Sequence, residues 1–444
     1  MPISPARTAA FDILLQVERE KAYASELLHS HRYESLSSAD HGLATELVMG
    51  VLRWRSVLDE QIALHSSQRL EKLDFEVLTA LRLAAYQLRF LDRVPQRAAV
   101  HESVELVKRA RKGSAVGFVN AVLRKMDGSN GMRPKLSETE QSLSETAKRT
   151  AHPLWLVERW RREFGDDAVR QICAYDQQVP EAAVWLANPE AEAELIREGV
   201  ELAPGRIVTS ARRLLSGDLT GTRAFREGRV FIQDEASHLV ALLVGEGRSI
   251  LDCCAAPGGK TRVLATRNPG AAILAVELHP HRARLLRQLV PQKNVTVVAA
   301  DVRHLPTEQS FDRVLTDVPC SGTGTLARNP EIKWRFQPKD LEDLQARQLE
   351  ILRCAINYVA PGGRLIYSTC SLETEENVEV VEKALTESSA FRVLECKTEL
   401  EKIRQTGELS GADLPSLTSG PYLRTIPGVH PCDGFFVAIL ERIG

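Results

Sequence analysis

The spacing of apolar residues divides the chain into a helical first part and a mixed remainder. Before residue 126, apolar side chains recur at three- and four-residue intervals, and strand-like alternation is hard to find. This spacing is typical of amphipathic helices. The predicted helices run from Ala9 to Val17, Ala44 to Leu58, Phe75 to Leu91 and Ala99 to Arg109. Residues 1–126 are therefore predicted to form an all-helical domain.

Beyond residue 230, short apolar runs alternate with helical stretches such as His281 to Leu289. Runs of branched and aromatic residues this short are typical of parallel strands that are covered on both faces. The pattern predicts a doubly wound α/β sheet, over residues 231–444, with a ligand crevice along one edge. The predicted strands are Ser249 to Cys253, Ile273 to Glu277, Thr296 to Ala300, Arg313 to Thr316 and Arg364 to Tyr367.

The region between these two parts carries weaker signals. Residues 127–150 are rich in Ser, Gly, Thr and charge, which predicts a linker. In residues 151–230, helical spacing runs from His152 to Tyr175, and Ala183 to Ala187 and Arg229 to Ile232 could be strands. The pattern alone does not specify how these elements are connected.

A glycine turn follows the first predicted strand of the sheet. The turn reads Cys254-Ala-Ala-Pro-Gly-Gly-Lys260, and a helix could start just after it. Gly258 and Gly259 would let the backbone approach a ligand that faces the amides of the helix start. A phosphate-binding P-loop is excluded because Cys254 occupies the position of its first glycine, and a G-x-G-x-x-G motif is absent. An adenosine-type cofactor without phosphates remains.

Acidic residues end successive strands of the predicted sheet. Glu277 is suited to bind ribose hydroxyls, and Asp301 could accept a hydrogen bond from an adenine amine. Asp252 and Asp317 end two further strands. Because the carboxyl ends of parallel strands share one edge, the four acids indicate a single ligand site.

Two cysteines follow strands at the same edge. Cys320 lies in Asp317-Val-Pro-Cys-Ser-Gly-Thr-Gly324, and Cys370 lies in Tyr367-Ser-Thr-Cys-Ser371. A free thiol is usually a small buried hydrophobe. Here the Asp, Pro, Ser and Gly neighbours indicate loops at the ligand-binding edge, so we interpret both thiols as reagents. The residues alone do not say which thiol attacks.

These motifs together resemble the Sun/Fmu-type (RsmB/NOP family) RNA cytosine-C5 methyltransferases. The resemblance covers residues from about 231 onward, where it implies a Rossmann-like methyltransferase domain, and it also implies a small α/β, RRM-like extension at residues 151–230. Glu277 stands where the family commonly has Asp, and Ala300 where Gly is usual. The matching pieces are Asp252 with Cys254 to Lys260, Asp317-Val-Pro-Cys-Ser, Thr369-Cys-Ser, Glu375-Glu-Asn377 and Asp433-Gly-Phe-Phe436.

The resemblance implies a cofactor and a division of labour. S-adenosylmethionine would be the methyl donor, Cys370 the nucleophile that adds to cytosine C6, and Cys320 the thiol that promotes β-elimination. Asp317 would act at N3 of the base, and Lys260 would lie nearby. The predicted cofactor-binding residues are Cys254, Ala255, Ala256, Pro257, Gly258, Gly259, Lys260, Glu277, Arg282, Asp301 and Asp317.

The helical domain resembles the NusB family of RNA-binding domains, in the stretches Val100 to Lys108 and Gly117 to Arg124. Basic clusters at residues 108–112, 124–125 and 206–226 could bind phosphates. The alternative is a bundle that only packs on the enzyme. The domain pairing favours small-subunit (16S) rRNA as substrate, with tRNA as an alternative. A non-enzymatic RNA-binding assembly or antitermination factor is the other rival; a DNA methyltransferase is disfavoured because it would leave Cys370 without a role.

Composition and charge limit the class of protein and the cellular compartment that the sequence predicts. With a net charge of −2, 43% hydrophobic and 26% charged residues, the chain has no global nucleic-acid signature and no apolar stretch long enough for a membrane helix. Its eight cysteines, without metal-ligand spacing or a secretory leader, predict reduced thiols in the cytoplasm and no metal site. We expect a monomer that binds RNA.

Overall fold

The computed structural model describes residues 3–127, 142–411 and 413–443. The helices are α1 (Pro5–Glu20), α2 (Ala24–Leu28), α3 (Ser38–Arg53), α4 (Arg55–His65), α5 (Phe75–Phe90), α6 (Gln96–Arg109), α7 (Val116–Asp127), α8 (Leu143–Arg149), α9 (Leu154–Tyr175), α10 (Pro189–Arg197), α11 (Arg223–Arg226), α12 (Glu235–Val244), α13 (Gly259–Arg267), α14 (Pro280–Leu289), α15 (Ile332–Arg335), α16 (Asp340–Asn357), α17 (Val378–Thr386) and α18 (Cys396–Gln405). The strands are β1 (Ala183–Leu186), β2 (Glu201–Pro204), β3 (Ala211–Ser216), β4 (Val230–Ile232), β5 (Ser249–Asp252), β6 (Ala272–Glu277), β7 (Val295–Ala299), β8 (Phe311–Asp317), β9 (Val359–Thr369), β10 (Phe391–Leu394), β11 (Thr418–Ser419), β12 (Tyr422–Arg424) and β13 (Phe436–Arg442).

The chain forms two compact units. The first comprises Met1–Val179 with Leu326–Arg335, and the second comprises Pro180–Thr325 with Phe336–Gly444. The predicted extension, residues 151–230, is thus divided, since α9 lies in the first unit. Most of the predicted linker lies outside the described residues, and its last part carries α8. The four domain boundaries stay a prediction.

The first unit is helical, as predicted, and its core is built by the inward faces of α1, α3, α5, α6 and α7. One predicted helix is wrong, because the stretch from Ala44 to Leu58 is broken at Trp54. The apolar spacing continues through the break because both helices bury residues in the same hydrophobic core. Trp54 packs its ring 5.1 Å from that of Phe90.

A segment from the second half of the sequence completes the first unit. Leu326–Arg335, the inserted segment, follows the Cys320 loop in the chain. Within it, Lys333 Nζ donates to the carbonyl of Arg53 at 3.1 Å, and Trp334 Nε1 donates to the carbonyl of Leu52 at 2.6 Å. These are the last carbonyls of α3, which have no partner within the helix. Burial lowers the pKa of Lys333 to about 7.

The second unit begins with a small antiparallel sheet. Its elements follow the order β1-α10-β2-β3-α11-β4, and its strands lie in the order β2-β3-β1-β4. This is the split βαβ arrangement, so the predicted RRM-like extension is confirmed. Trp185 and Phe231, on one face of the sheet, pack with Ala241 of α12 and Val263 of α13. The aromatic residues of this face are therefore buried.

A nine-stranded sheet forms the rest of the second unit, with β9-β8-β5-β6-β7 parallel and β13 antiparallel to β9. Alternate residues of its strands face opposite layers. Ile250, Leu315 and Ile366 pack with α12, α13 and α18, whereas Leu251 and Val314 pack with α16 and α17. Helices on both faces of a parallel sheet confirm the predicted doubly wound, Rossmann-like class. Within the described ranges, no helix combines the length and hydropathy of a membrane span.

Candidate active site

The turn between β5 and α13, residues 253–258, forms a cradle whose backbone requires glycine at position 258. Gly258, which precedes α13, has a φ of +116°. A Cβ atom there would lie 2.6 Å from Val290 Cγ2 and 2.7 Å from Leu286 Cδ1. Ala255 anchors the turn through a hydrogen bond from its amide to the Val276 carbonyl at 2.9 Å. The backbone is thus fixed where the first amides of α13 are exposed to a ligand.

Asp252, at the end of β5, hydrogen-bonds to the helix that follows this cradle. Its side chain is buried, and Thr261 Oγ1 donates to Oδ2 at 2.7 Å. Burial raises the pKa of Asp252 to about 7, although the Thr261 hydrogen bond opposes the shift. Asp252 therefore carries a cost of charging that an exposed aspartate would not.

This shift predicts a pH-dependent stability. Because the folded pKa is raised, the folded state binds more protons than the unfolded state between about pH 4 and pH 7, and stability falls as pH rises through that window. Asp252→Asn should therefore gain stability relative to the wild type, by about 2–4 kcal/mol between the two ends of the window. Urea unfolding of both proteins at pH 4.5 to 8, without cofactor, measures this difference. Parallel pH profiles would contradict the prediction.

Glu277 and Arg282 lie on the far side of the cradle. Glu277 ends β6, and its Oε1 accepts from the amide of His279 at 2.9 Å. Arg282 Nη1 lies 3.8 Å from Glu277 Oε2, and its Nη2 donates to the carbonyl of Ala256 at 3.3 Å. Arg282 thus links the Glu277 carboxylate to the turn, a contact that residue spacing does not reveal.

Asp301 follows β7 at the same edge. Its carboxylate is paired with Arg303 at 2.7 Å, and the hydrogen bond with Arg303 lowers the pKa of Asp301. The register of β5, β6 and β7 places the ends of all three strands side by side. The strand ends that carry Asp252, Glu277 and Asp301 are therefore neighbours in the sheet, and a shared ligand site for these acids stays a prediction.

Lys260 joins the cradle to the end of β8. Its Nζ donates to Asp317 Oδ2 at 2.7 Å and lies 5.0 Å from the centre of the Phe435 ring. Asp317 Oδ1 accepts from Ser368 Oγ at 2.8 Å. Lys260 is therefore held in place by an ion pair and an aromatic ring, and is not a solvated lysine at a helix start.

The two cysteines lie next to each other beside this pair. Cys320 Sγ and Cys370 Sγ are 3.3 Å apart, and both are free thiols. The Cys370 hydrogen bond, burial and the nearby Glu376 carboxylate raise the pKa of Cys320 well above its ordinary value. Cys320 is thus held as a neutral thiol in contact with Cys370. Burial also raises the pKa of Cys254, so its thiolate form is disfavoured as well.

A buried polar network behind the thiols was missed by sequence reasoning. Glu376 contacts the loops that follow both cysteines, and Gln348 of α16 contacts Glu376. The Glu-Glu-Asn motif suggests no role by residue type. Its signals are the match of Glu375-Glu-Asn377 to the family and the position of this short acidic turn directly after the second cysteine motif.

The Asp-Gly-Phe-Phe motif packs against the first cysteine loop. The amide of Gly434 donates to the carbonyl of Gly324 at 2.8 Å. A Cβ atom on Gly324 would lie 2.1 Å from the Gly434 carbonyl oxygen. The two segments could therefore not approach so closely if residue 324 carried a side chain. This contact places Phe435 beside Lys260.

Cations in the predicted basic clusters form ion pairs. In the helical domain these are Lys108 with Glu105, Arg109 with Asp12 and Lys112 with Asp74. In the small sheet and its flanking segments they include Arg206 with Glu181, Arg212 with Glu192 and Arg213 with Glu181. RNA phosphates would have to compete with these carboxylates. Across the part of the chain that the structure describes, no three His, Cys, Asp or Glu side chains are placed to hold a metal ion.

Comparisons with known proteins agree with this geometry. A family described as 16S rRNA methyltransferase RsmB/F matches residues 239–441, and the NusB family matches residues 4–127. The chain is 34% identical to the probable ribosomal RNA small subunit methyltransferase B of Bacillus subtilis, over 100% of both proteins. It is 30% identical to the ribosomal RNA small subunit methyltransferase B of Vibrio cholerae, over 99% of this chain and 98% of that protein.

A solved structure shares the whole fold. The protein named PH0851 is 23% identical, has a TM-score of 0.81 and covers 100% of both chains. At this identity the likeness shows the fold alone. The relatives at 30% and 34% identity, which align over almost their full lengths, show the family as well. The chain therefore belongs to the RsmB/F family of 16S rRNA methyltransferases, with a NusB-type domain at its N-terminus.

Proposed function

We propose that this protein transfers a methyl group from S-adenosylmethionine to C5 of a cytosine in RNA, with 16S rRNA as the preferred substrate. The observation that carries the proposal is the 3.3 Å approach of Cys320 and Cys370, beside the Lys260–Asp317 pair. The names of the relatives support the rRNA substrate. The residue ranges of the two family matches support a helical substrate-binding domain before the catalytic one.

Cytosine C5 is a poor nucleophile, and this explains why the chemistry needs a thiol. A thiolate that adds to C6 makes C5 enamine-like and splits one difficult step into easier ones. After methylation, a base must remove the C5 proton, and the C6–S bond must break to release the RNA. S-adenosylmethionine, when bound, supplies the electrophilic methyl group.

The environment of the thiols favours a specific division of labour. The raised pKa of Cys320 favours its thiol form, and a thiol is a far weaker nucleophile than a thiolate. The resemblance of the Thr369-Cys-Ser motif implies a nucleophile at Cys370, and on that basis we assign the attack on C6 to Cys370 and the release step to Cys320. The short distance between the sulfur atoms would let Cys320 act on an adduct at Cys370.

Asp317 and Lys260 are placed to act on the base as a unit. Asp317 accepts hydrogen bonds through both oxygens, and the ammonium of Lys260 is one donor. A cytosine bound at the thiols would meet this pair on its polar edge. Hydrogen bonding or proton donation at N3 favours thiolate addition, which is the role we assign to the pair.

The cradle suits the proposed cofactor. The glycine at position 258 lets the turn pack closely on Leu286 and Val290 before the first amides of α13, and Glu277 provides a carboxylate for ribose hydroxyls. Asp301 would accept from the adenine amine. The turn Cys254 to Pro257 and Arg282 would hold the cofactor's position through the contacts described above.

The direct test uses the full-length protein with methyl-labelled S-adenosylmethionine. We expect label in 16S rRNA, and mass spectrometry of the digested RNA should identify the product as 5-methylcytidine. Label in tRNA instead would change the substrate. Label in another nucleoside would contradict the cytosine chemistry. No transfer to any RNA, with RNA binding retained, would favour a non-enzymatic assembly factor.

A second test examines the cofactor residues. Glu277→Ala and Asp301→Ala should each weaken S-adenosylmethionine binding by about 1–3 kcal/mol, since each removes a partner from a ligand polar group. Isothermal titration measures the affinity. The matched control is Asp312→Ala, which removes a carboxylate at the other end of β8, where it accepts from Arg248 and Ser249 amides. Unchanged affinity in both site variants would place the cofactor elsewhere.

A further inference from the structure

One buried carboxylate connects the two cysteine loops. Glu376 is fully buried, and its Oε1 accepts from the Ser321 amide and from Gln348 Nε2, both at 2.8 Å. Its Oε2 accepts from the hydroxyls of Ser321 and Ser371. These two serines directly follow the two cysteines in the chain. A single side chain therefore crosslinks segments that are 50 residues apart in sequence.

The loop of Cys320 is held on both sides. Glu376 holds the amide that follows this cysteine, and Gln348 Nε2 also donates to the carbonyl of Pro319, which precedes it, at 3.0 Å. The hydroxyl of Tyr367 donates to the carbonyl of Glu376 at 2.6 Å and fixes the backbone of the acidic turn. The peptide groups around Cys320 have little freedom to shift.

The loop of Cys370 is held by Asn377, the residue that follows Glu376 in the chain. Its Oδ1 accepts from Thr369 Oγ1, and its Nδ2 donates to the carbonyl of Ser371 at 2.9 Å. Thr369 and Ser371 flank the cysteine. Adjacent residues of one turn thus hold the two thiols, with Glu376 reaching both loops.

We propose that Glu376 is a positioning residue, which holds Cys320 and Cys370 in apposition through Ser321 and Ser371. A carboxylate is suited to this position because it only accepts hydrogen bonds, and four donors converge on it. Removing it would leave the Ser321 amide and one N–H of Gln348 Nε2 buried without an acceptor, which pushes the loops apart or draws in water. The kinetic part of this inference rests on the proposed function, whereas the geometric part does not.

Disulfide formation reports the apposition without RNA or cofactor. In the full-length protein treated with diamide, peptide mass spectrometry should find Cys320 linked to Cys370, because thiol exchange requires the sulfur atoms to meet. Glu376→Ala should slow this linkage at least about tenfold, since displacement of a reacting group by about 1 Å is costly. Glu376→Gln, which has the same shape and faces hydroxyls that can rotate, should link within about threefold of the wild-type rate.

Glu379→Ala is the matched control for charge. Glu379 lies on α17, where it accepts from Gln345 Nε2 at 2.9 Å and pairs with Lys383. This variant removes one carboxylate close to Glu376 in sequence. Among the described residues, Glu379 hydrogen-bonds to Gln345 and Lys383 and not to either cysteine loop. Its linkage rate and its methyl transfer should equal those of the wild type.

Methyl-transfer kinetics give the second readout. Glu376→Ala should lower kcat on the order of 100-fold, with the KM for RNA and the affinity for S-adenosylmethionine within about twofold, because only the reacting groups move. Glu376→Gln should restore most of kcat. A general loss of folding would instead weaken cofactor binding in parallel with kcat.

The outcomes separate this inference from the proposed function. A wild-type linkage rate in Glu376→Ala would overturn the positioning role, whatever the methylation result. Altered linkage in a protein that methylates no RNA would support the positioning role and reject the proposed function. If Glu376→Ala does not fold, Ser371→Ala removes one of the four donors, and we expect slower linkage with cofactor affinity retained. A wild-type rate in that folded variant would overturn the inference.

Discussion

Cys370→Ala should abolish both methyl transfer and any covalent RNA adduct, whereas Cys320→Ala should form an adduct and then stall. The reason is the assigned order of events, in which Cys370 adds to C6 and Cys320 promotes the later β-elimination. Without the nucleophile no adduct can form. Without the releasing thiol, the methylated base stays bonded to Cys370 and the enzyme does not turn over.

Denaturing gel electrophoresis of each variant with labelled RNA and S-adenosylmethionine measures the adduct. We expect an RNA-linked band of retarded protein for Cys320→Ala and none for Cys370→Ala or for the double variant. The control is Cys354→Ala, which removes a half-buried thiol from α16. A band for Cys370→Ala, with none for Cys320→Ala, would reverse the assignment.

The spacing of apolar residues predicted the helical unit and the parallel sheet because each has one characteristic hydrophobic pattern. In the parallel sheet, Ile250 and Leu251 face opposite helical layers, so both are apolar and the strand reads as a continuous run. The break at Trp54 was not predictable in this way. It depends on α3 ending where Lys333 and Trp334, about 280 residues later, hydrogen-bond to its last carbonyls.

The site was predictable where chemistry is tied to a strand end. Asp317 ends a strand, the cysteines and the glycine turn each follow one, and parallel topology brings strand ends together. Partners that reach the site from helices carried no such signal. Gln348 lies within α16, and Glu376 lies in a turn next to another acid, so only packing shows that both hold the cysteine loops.

The small sheet shows a further limit of pattern. An RRM-like arrangement suggests RNA bases stacked on aromatic residues of the sheet surface. Here Phe231 is covered by the guanidinium of Arg262, 4.6 Å from the ring centre, and Trp185 packs on α12. These two aromatic side chains are therefore used to pack the sheet on the catalytic domain.

Deletion of residues 1–127 should abolish methyl transfer and leave the inserted segment open to protease. In the complete chain, Glu331 and Lys333 of this segment are buried, and Glu331 Oε1 accepts from the amide of Ala24 at 2.9 Å. The deletion removes Ala24, Leu52 and Arg53, which supply these partners. Because buried polar groups without partners are costly, we expect the segment to unfold. The segment continues directly from the Cys320 loop, so disorder there would reach the thiol.

Loss of RNA capture would also reduce methylation, and a full-length variant separates the two causes. Lys108→Gln/Arg111→Gln/Lys112→Gln removes cations of the first basic cluster but keeps the partners of the inserted segment. If this cluster binds phosphates, RNA affinity should depend less steeply on salt, with the logarithmic slope reduced by about 0.7–0.9 for each phosphate that the variant no longer neutralises. Protease resistance of residues 326–335 should match that of the wild type. An unchanged salt slope in this variant, with methylation intact, would leave the NusB-type domain as a structural support of the inserted segment. It would also remove the role of that domain in phosphate binding.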